Sequence, residues 1–181
     1  KFFKNVLYDN KFGYYTSHLP FGKQGDFITS PNISNLFSEI IAIWCIASWE
    51  SFGRPGNFNI VELGPGDGSL TNILLRSFKN FPNFNSVKKI FLYEKSSYLK
   101  TIQKKNIASS DVKWINNFSK IRKGPVIFFG NEFFDAIPIK QFKKIKNSFF
   151  EKNYTIDRND KIKEVFKKVS NDNIKLIESY K

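Results

Sequence analysis

The sequence contains no methionine and only one cysteine, Cys45. An intramolecular disulfide is therefore excluded, and a reducing compartment is the natural setting. Cys45 lies in the apolar run "IIAIWCIASW", where apolar surroundings raise a thiol pKa, so it is expected to pack in the core and not to act as a nucleophile. Histidine is equally scarce. His18 stands without a Cys or second His to share a metal, which makes it a surface-loop residue and leaves no metal site in the reading. No apolar stretch reaches the roughly 18 residues needed to span a bilayer, so no membrane insertion is expected and "IIAIWCIASW" reads as a buried helix. The opening "KFFKNVLYDN" lacks the apolar centre and cleavage site of a signal peptide, and without an initiator Met the start reads as processed or cut.

Acidic residues are also few: 16 Asp and Glu stand against 29 Lys and Arg, for a formal net charge of +13. That balance would suit nucleic acid. Almost all of the positive charge is Lys, however, and it accompanies an excess of Asn, Ile and Phe, which share AT-rich codons. The lysines are dispersed and few arginines are available as phosphate or base forks, so nucleic acid is kept only as an alternative partner. What the chain does have is apolar material: 41% hydrophobic and 17% aromatic residues in 181 positions, enough to bury the core of an ordinary domain.

That material is arranged in alternating elements. "SPNISNLFSEIIAIWCIASWESF" has helical spacing at Ile33, Leu36, Phe37, Ile40, Ile41 and Trp44, with Ser30 or Asn32 as cap, and stops at "GRPG". "FNIVEL", "KIFLYE", "VKWIN" and the start of "GPVIFFGNEFF" read as four short strands, with helices in "SLTNILLRSFKNF" and "SSYLKTIQKK" between them. Strands alternating with helices predict a parallel α/β sheet. After Pro138 the β-rich pieces are separated by polar turns, as in an antiparallel appendage. The expected organisation is a helical, cofactor-covering segment over residues 1–56, a Rossmann-like core over 57–138 and an antiparallel β extension over 139–181. Four parallel strands are fewer than a doubly wound domain usually has, so the C-terminal part is expected to be incomplete.

The loop between the first strand and the next helix, "ELGPGDGSL", carries Gly64, Gly66 and Gly68 at alternate positions. Such a turn lets a ligand approach the backbone next to a helix N-terminus. A Walker loop needs a Gly-Lys-Ser/Thr ending, which is missing. A dinucleotide loop receives a pyrophosphate, which Asp67 inside the turn would repel. A ligand with a sulfonium and an ammonium, S-adenosyl-L-methionine, suits the acids better: Glu62 could meet the ammonium, and Glu94, at the end of the next strand, takes the place of a ribose-binding carboxylate. The plainer alternative for Glu94 is a solvated strand-end acid beside Lys95.

Four stretches, "FGYYTSHLPFGKQGDFITSPNIS", "VELGPGDGSL", "FLYEKSSYLKTIQ" and "GNEFFDAIPIKQF", together resemble the MidA-like family of S-adenosylmethionine-dependent methyltransferases. The resemblance runs over about residues 1–156. It departs at Pro31-Asn32, where the family usually has Pro-Glu, and at Phe37-Ser38-Glu39, where it has Phe-Gly-Glu. It implies a class I methyltransferase fold and an arginine acceptor on a protein, of the respiratory complex I subunit type. It places Gly64, Pro65, Gly66 and Gly68 at the cofactor, with Asp26 and Thr29, beside Gly25 and Phe27, on the cofactor-covering face. The location implied is the cytoplasm in a bacterium or the mitochondrial matrix in a eukaryote.

An arginine acceptor stays protonated, and nearby carboxylates can hold its guanidinium as a fork. "NEFFDAIP" follows the fourth strand, at the edge where open α/β folds bind ligands. Glu132 is therefore the first candidate catalytic carboxylate, Asp135 the second, and Asn131 an orienting amide. The competing reading makes Asn131 and Asp135 helix caps, with Glu132 in the first turn. Two alternatives for the whole chain remain at this level: a catalytically silent assembly protein on the same fold, and a nucleic-acid methyltransferase. The latter is disfavoured because "NEFF" differs from the Asn/Asp-Pro-Pro-aromatic loop of amino-directed base methyltransferases.

Overall fold

The computed structural model describes residues 2–9, 11–17, 34–121 and 123–179. The candidate cofactor-covering residues Asp26 and Thr29, with Gly25, Phe27, His18 and the proposed caps Ser30 and Asn32, lie outside the described residues. The chain forms two compact units: Tyr8–Ile137, and Pro138–Lys181 together with Lys1–Leu7.

The larger unit is built on a parallel four-stranded sheet in the order β3-β2-β1-β4, comprising β1 (Phe58–Leu63), β2 (Lys88–Tyr93), β3 (Val112–Ile115) and β4 (Val126–Phe129). β1 is central, with Ile60 opposite Ile90 on one side and Ile127 on the other. It is buried along nearly its whole length, as a parallel strand covered on both faces must be. Its even positions, Phe58 and Ile60, share one core with Ile90 and Leu92 of β2 and with three helices: α3 (Asn35–Ser51), α4 (Ser69–Phe78) and α5 (Pro82–Val87). Its odd position Val61 packs on the opposite face with Phe91 and Ile115. Each buried side chain of this size contributes roughly 1.5–3 kcal/mol relative to exposure. The β1–β4 pairing is reinforced at its start, where Asn59 donates from both its backbone N–H and its side-chain amide to the carbonyl of Pro125.

α3 starts at Ser34, whose hydroxyl accepts from the Leu36 N–H, and ends before a turn in which Gly53 and Arg54 both have positive φ. Its buried face is Ser38, Ala42, Cys45, Ile46 and Trp49. The helix is where the spacing predicts it, but the reading of "IIAIWCIASW" as a buried helix and of Leu36, Ile40 and Trp44 as its apolar face is corrected here: these three and Ile43 are 48–61% exposed. Residues 40–47 are apolar throughout, so the spacing at Leu36, Ile40 and Trp44 did not mark the core side, and the small Ala42 and Cys45 are the ones in the core. α4 ends three residues earlier than its apolar pattern suggests. Asn80 and Phe81 turn back, and Pro82 opens the short α5, whose Phe84 is buried among Trp49, Phe58 and Phe78.

In the smaller unit, β5 (Phe142–Ile145), β6 (Ser148–Ile156) and β7 (Ile162–Lys168) form an antiparallel sheet with β6 in the middle. The Asp157 carboxylate accepts from the N–H groups of Asn159 and Lys161, closing the β6–β7 turn. Phe2 and Phe3, on α1 (Phe2–Tyr8), pack against the ring of Tyr154. The last helix, Asn171–Glu178, was not anticipated from its polar, Lys-containing sequence.

Candidate active site

All four parallel strands point the same way, so the chain leaves β1, β2 and β4 at one edge of the sheet. Most of the residues singled out from the sequence sit there. In the glycine turn Gly64, Gly66 and Gly68 have φ of 63°, 57° and 87°, a left-handed conformation that glycine adopts without a Cβ penalty. The Gly68 N–H donates to the Pro65 carbonyl at 2.8 Å, and the Gly64 N–H ties the turn to the end of β2 through the Tyr93 carbonyl at 3.0 Å. Asp67 turns inward and accepts from the Ser69 N–H at the start of α4, so its own carboxylate occupies that helix N-terminus.

Glu62 is almost fully buried and accepts a hydrogen bond from the Thr71 hydroxyl of α4. Burial pushes its carboxyl up to about 7, against the Thr71 bond and with a smaller push from the Asp67 charge. Glu94, immediately after β2, is also buried. One oxygen accepts from the Ser96 N–H at 2.7 Å and the other from Gln103 at 3.2 Å. Desolvation raises its pKa, opposed by these bonds and by Lys100.

Gln103 is a residue that sequence reasoning missed. It lies on α6 (Ser97–Asn106) and is fully buried, and its amide nitrogen donates both to Glu94 and, at 2.8 Å, to the Gly66 carbonyl. Its amide oxygen accepts from the Trp114 indole at 2.9 Å. One side chain thus joins the glycine turn, the candidate ribose carboxylate and β3. The available signal was its place between Leu99 and Ile107, four residues from each, which puts it on the buried face of the helix.

Beyond β4, Asn131 is half-buried while Glu132 and Asp135 are exposed. The helix-cap reading of these residues is not realised. The only helical geometry here is a 3-10 turn, Phe134–Ala136, whose cap position is Phe133 and which has no side-chain cap. Glu132 has φ 50°, unusual outside glycine and costing of order 1–3 kcal/mol, which the surrounding contacts must offset. The contacts are visible. A Cβ on Gly64 would come within 2.7 Å of the Phe133 ring, and one on Gly130 within 3.0 Å of the Leu63 carbonyl, so the loop after β4 lies tight against the glycine turn.

Two tyrosines at this edge, Tyr8 at the end of α1 and Tyr15 on α2 (Tyr14–Ser17), were also missed. Tyr8 donates to the Ala136 carbonyl at 2.7 Å and its ring stacks on Tyr15 with centroids 5.7 Å apart. Burial foremost, then Tyr15 and Glu94, push the Tyr8 phenol up to about 12; burial and then Asp135 raise that of Tyr15. Both phenols are therefore neutral hydrogen-bonding groups among carboxylates. Among the described residues, no three His, Cys, Asp or Glu side chains are grouped so as to hold a metal, and no helix is long and apolar enough to cross a membrane. Cys45 is buried in the core, and its thiol is pushed up to about 12.

Comparison with known proteins follows this geometry. Residues 40–180 match a family model described as "Putative S-adenosyl-L-methionine-dependent methyltransferase". Among curated relatives, the mitochondrial protein arginine methyltransferase NDUFAF7 of Xenopus laevis is 31% identical over 98% of this chain and 46% of its own length. The human protein of that name is 32% identical over 87% of this chain and 41% of its own. The chain thus spans about half the length of the curated relatives it matches. A Burkholderia thailandensis structure bound to S-adenosyl-homocysteine superposes with TM-score 0.75 at 23% identity, covering 97% of this chain and 47% of that one, which shows a shared fold. With a family match over most of its length and relatives more than 30% identical, the chain belongs to this family of S-adenosyl-L-methionine-dependent methyltransferases.

Proposed function

We propose that the chain carries the cofactor site of a methyltransferase whose acceptor is an arginine side chain of a protein, of the respiratory complex I subunit type. The observation that carries the reading is the buried amide of Gln103, which fixes the glycine turn and Glu94 to each other. S-adenosyl-L-methionine fits these residues. Glu94 accepts from the N–H groups of Ser96 and Lys95 and from Gln103, and its two oxygens keep lone-pair capacity for a ribose hydroxyl. The turn at Gly64, Pro65, Gly66 and Gly68 would lie against the adenosyl group, Glu62 would face the ammonium, and Asp26 and Thr29 would cover the cofactor. Bound there, the cofactor would supply an electrophilic methyl group on a sulfonium.

The chain's own contribution is positioning. Glu132, without a hydrogen-bond or ion-pair partner for its side chain among the described residues, and Asp135 would hold the guanidinium and stabilise its developing charge as the attacking nitrogen loses a proton. Asn131 would orient the acceptor. In this reading residues 1–56 cover the cofactor, 57–138 bind it, and 139–181 extend the domain. The names of the relatives say mitochondrial, and the location proposed for this chain is the mitochondrial matrix, or the cytoplasm if the source is bacterial.

Calorimetric titration with S-adenosyl-homocysteine tests the cofactor half. Wild type should bind at one site, and Gly66→Val and Gln103→Leu should bind at least tenfold more weakly. A folded wild-type protein that binds none overturns the reading. Methyl transfer to a candidate acceptor then tests the carboxylate: Glu132→Gln should retain cofactor binding and lose on the order of 100-fold in rate, in line with removal of one transition-state partner.

A further inference from the structure

We infer that the groove beside α4 is a second ligand site, one that takes the phosphate of a small polar molecule. It is a pocket of about 360 Å³, within the range of small-molecule sites. Its floor is formed by Lys88, the first residue of β2, and Asp111, just before β3. Lys88 and Asp111 lie at the amino ends of the strands, the opposite edge from Glu62, Glu94 and Glu132, and none of the residues assigned to cofactor or acceptor lines the pocket, although Asn106, which does, donates to the Asp67 carbonyl in the glycine turn. Along its wall stand Asn72, Arg76 and Lys79 from α4 and its end, with Asn85 of α5 facing them.

The lining has the chemistry of an oxyanion receptor. Three cations, Arg76, Lys79 and Lys88, face one carboxylate, Asp111. The side chains of Arg76, Lys79, Asn72 and Asn85 have no hydrogen-bond or ion-pair partner among the described residues. They offer two charges and two amides to a ligand. A basic residue in the last turn of a helix can simply complement the helix dipole, as Arg76 does on α4.

Lys88 does not fit that account. Its side chain is only 2% exposed, although a solvated lysine would keep its ammonium in water. The ammonium has three N–H donors and two protein acceptors, the Asn85 carbonyl at 3.3 Å and the Asp111 carboxylate at 3.2 Å. Burying a charge with a donor unfilled is costly, and an acceptor in the pocket would fill it. All three cations line this one pocket, so a phosphate bound there lies among them, and the amides suit the hydroxyls of the molecule that carries it.

Calorimetry with ribose 5-phosphate, inorganic phosphate and ribose, at low ionic strength, tests the site. Ribose 5-phosphate should bind saturably at one site and ribose should not bind. Arg76 and Lys79 are exposed, so Arg76→Gln/Lys79→Gln should fold normally and bind about tenfold more weakly, as the loss of two wet charges predicts. Asp111→Asn, which removes the one negative charge, should bind several-fold more tightly, an effect that a purely structural role for Asp111 would not produce. Inorganic phosphate binding as tightly as the ester supports the site with a free anion as its ligand, and weaker binding supports the ester. Absence of saturable binding, equal affinity in the double variant, or preferential binding of a glutamate-rich peptide overturns the proposal.

Discussion

Glu62 gives the fold a pH dependence at the scale of one residue. Its carboxyl is near 7 in the fold and near 4.5 in an unfolded chain, because burial removes water from the charged form. A carboxyl raised in this way favours folding while protonated. Its contribution is full below about 4.5 and is lost as the pH rises through 7, a difference of about 3 kcal/mol at most by linkage. Thermal melts from pH 5 to 8 should therefore show wild type losing stability across that interval and Glu62→Gln losing markedly less. Parallel curves for the two proteins would mean that Glu62 is not desolvated as described. The acids at strand ends were legible in the sequence because strand and turn signals locate them. The partners of those acids were not: Thr71 and Gln103 are ordinary helix residues until α4 and α6 fold back onto the turn.

Among the elements, the parallel sheet and the antiparallel appendage were readable from the alternation of apolar runs and from the turn residues between them. The α/β reading with two kinds of sheet agrees with the observed topology. The face of α3 was misread, because residues 40–47 are apolar throughout and the spacing at Leu36, Ile40 and Trp44 did not mark the core side. Two substitutions two residues apart separate its sides. Ile40→Glu, on the exposed side, should change the urea-derived stability by no more than about 0.5 kcal/mol. Ala42→Leu, at a fully buried core position, should cost about 1–3 kcal/mol through overpacking. Equal costs would contradict the observed orientation. The loop after β4 shows the opposite limit. Its carboxylates were found from position alone, but the positive φ of Glu132 and the close fit of Phe133 on Gly64 depend on two loops meeting.

At the scale of the whole molecule the net charge of +13 invites a partner that the site does not require. Dispersed lysines should retain DNA and RNA weakly and without saturation at low salt, with retention lost by about 0.15 M, where exposed charges are screened beyond about 8 Å. Filter binding across a salt series measures this, and a saturable complex at the higher salt would restore nucleic acid as a candidate substrate. The strand order has a consequence in time. β1 pairs with β2 and β3 builds outward from them, but the other edge of β1 receives β4 only after Pro125, which lies 66 positions beyond Asn59, has been made. A nascent chain emerging from the ribosome therefore carries an apolar central strand with one open edge until β4 has been made, and contacts this distant in sequence form slowly. The loop bearing Glu132 joins the glycine turn only at that late closure, so arrested chains that already hold β1, β2 and β3 should be prominent clients of chaperones.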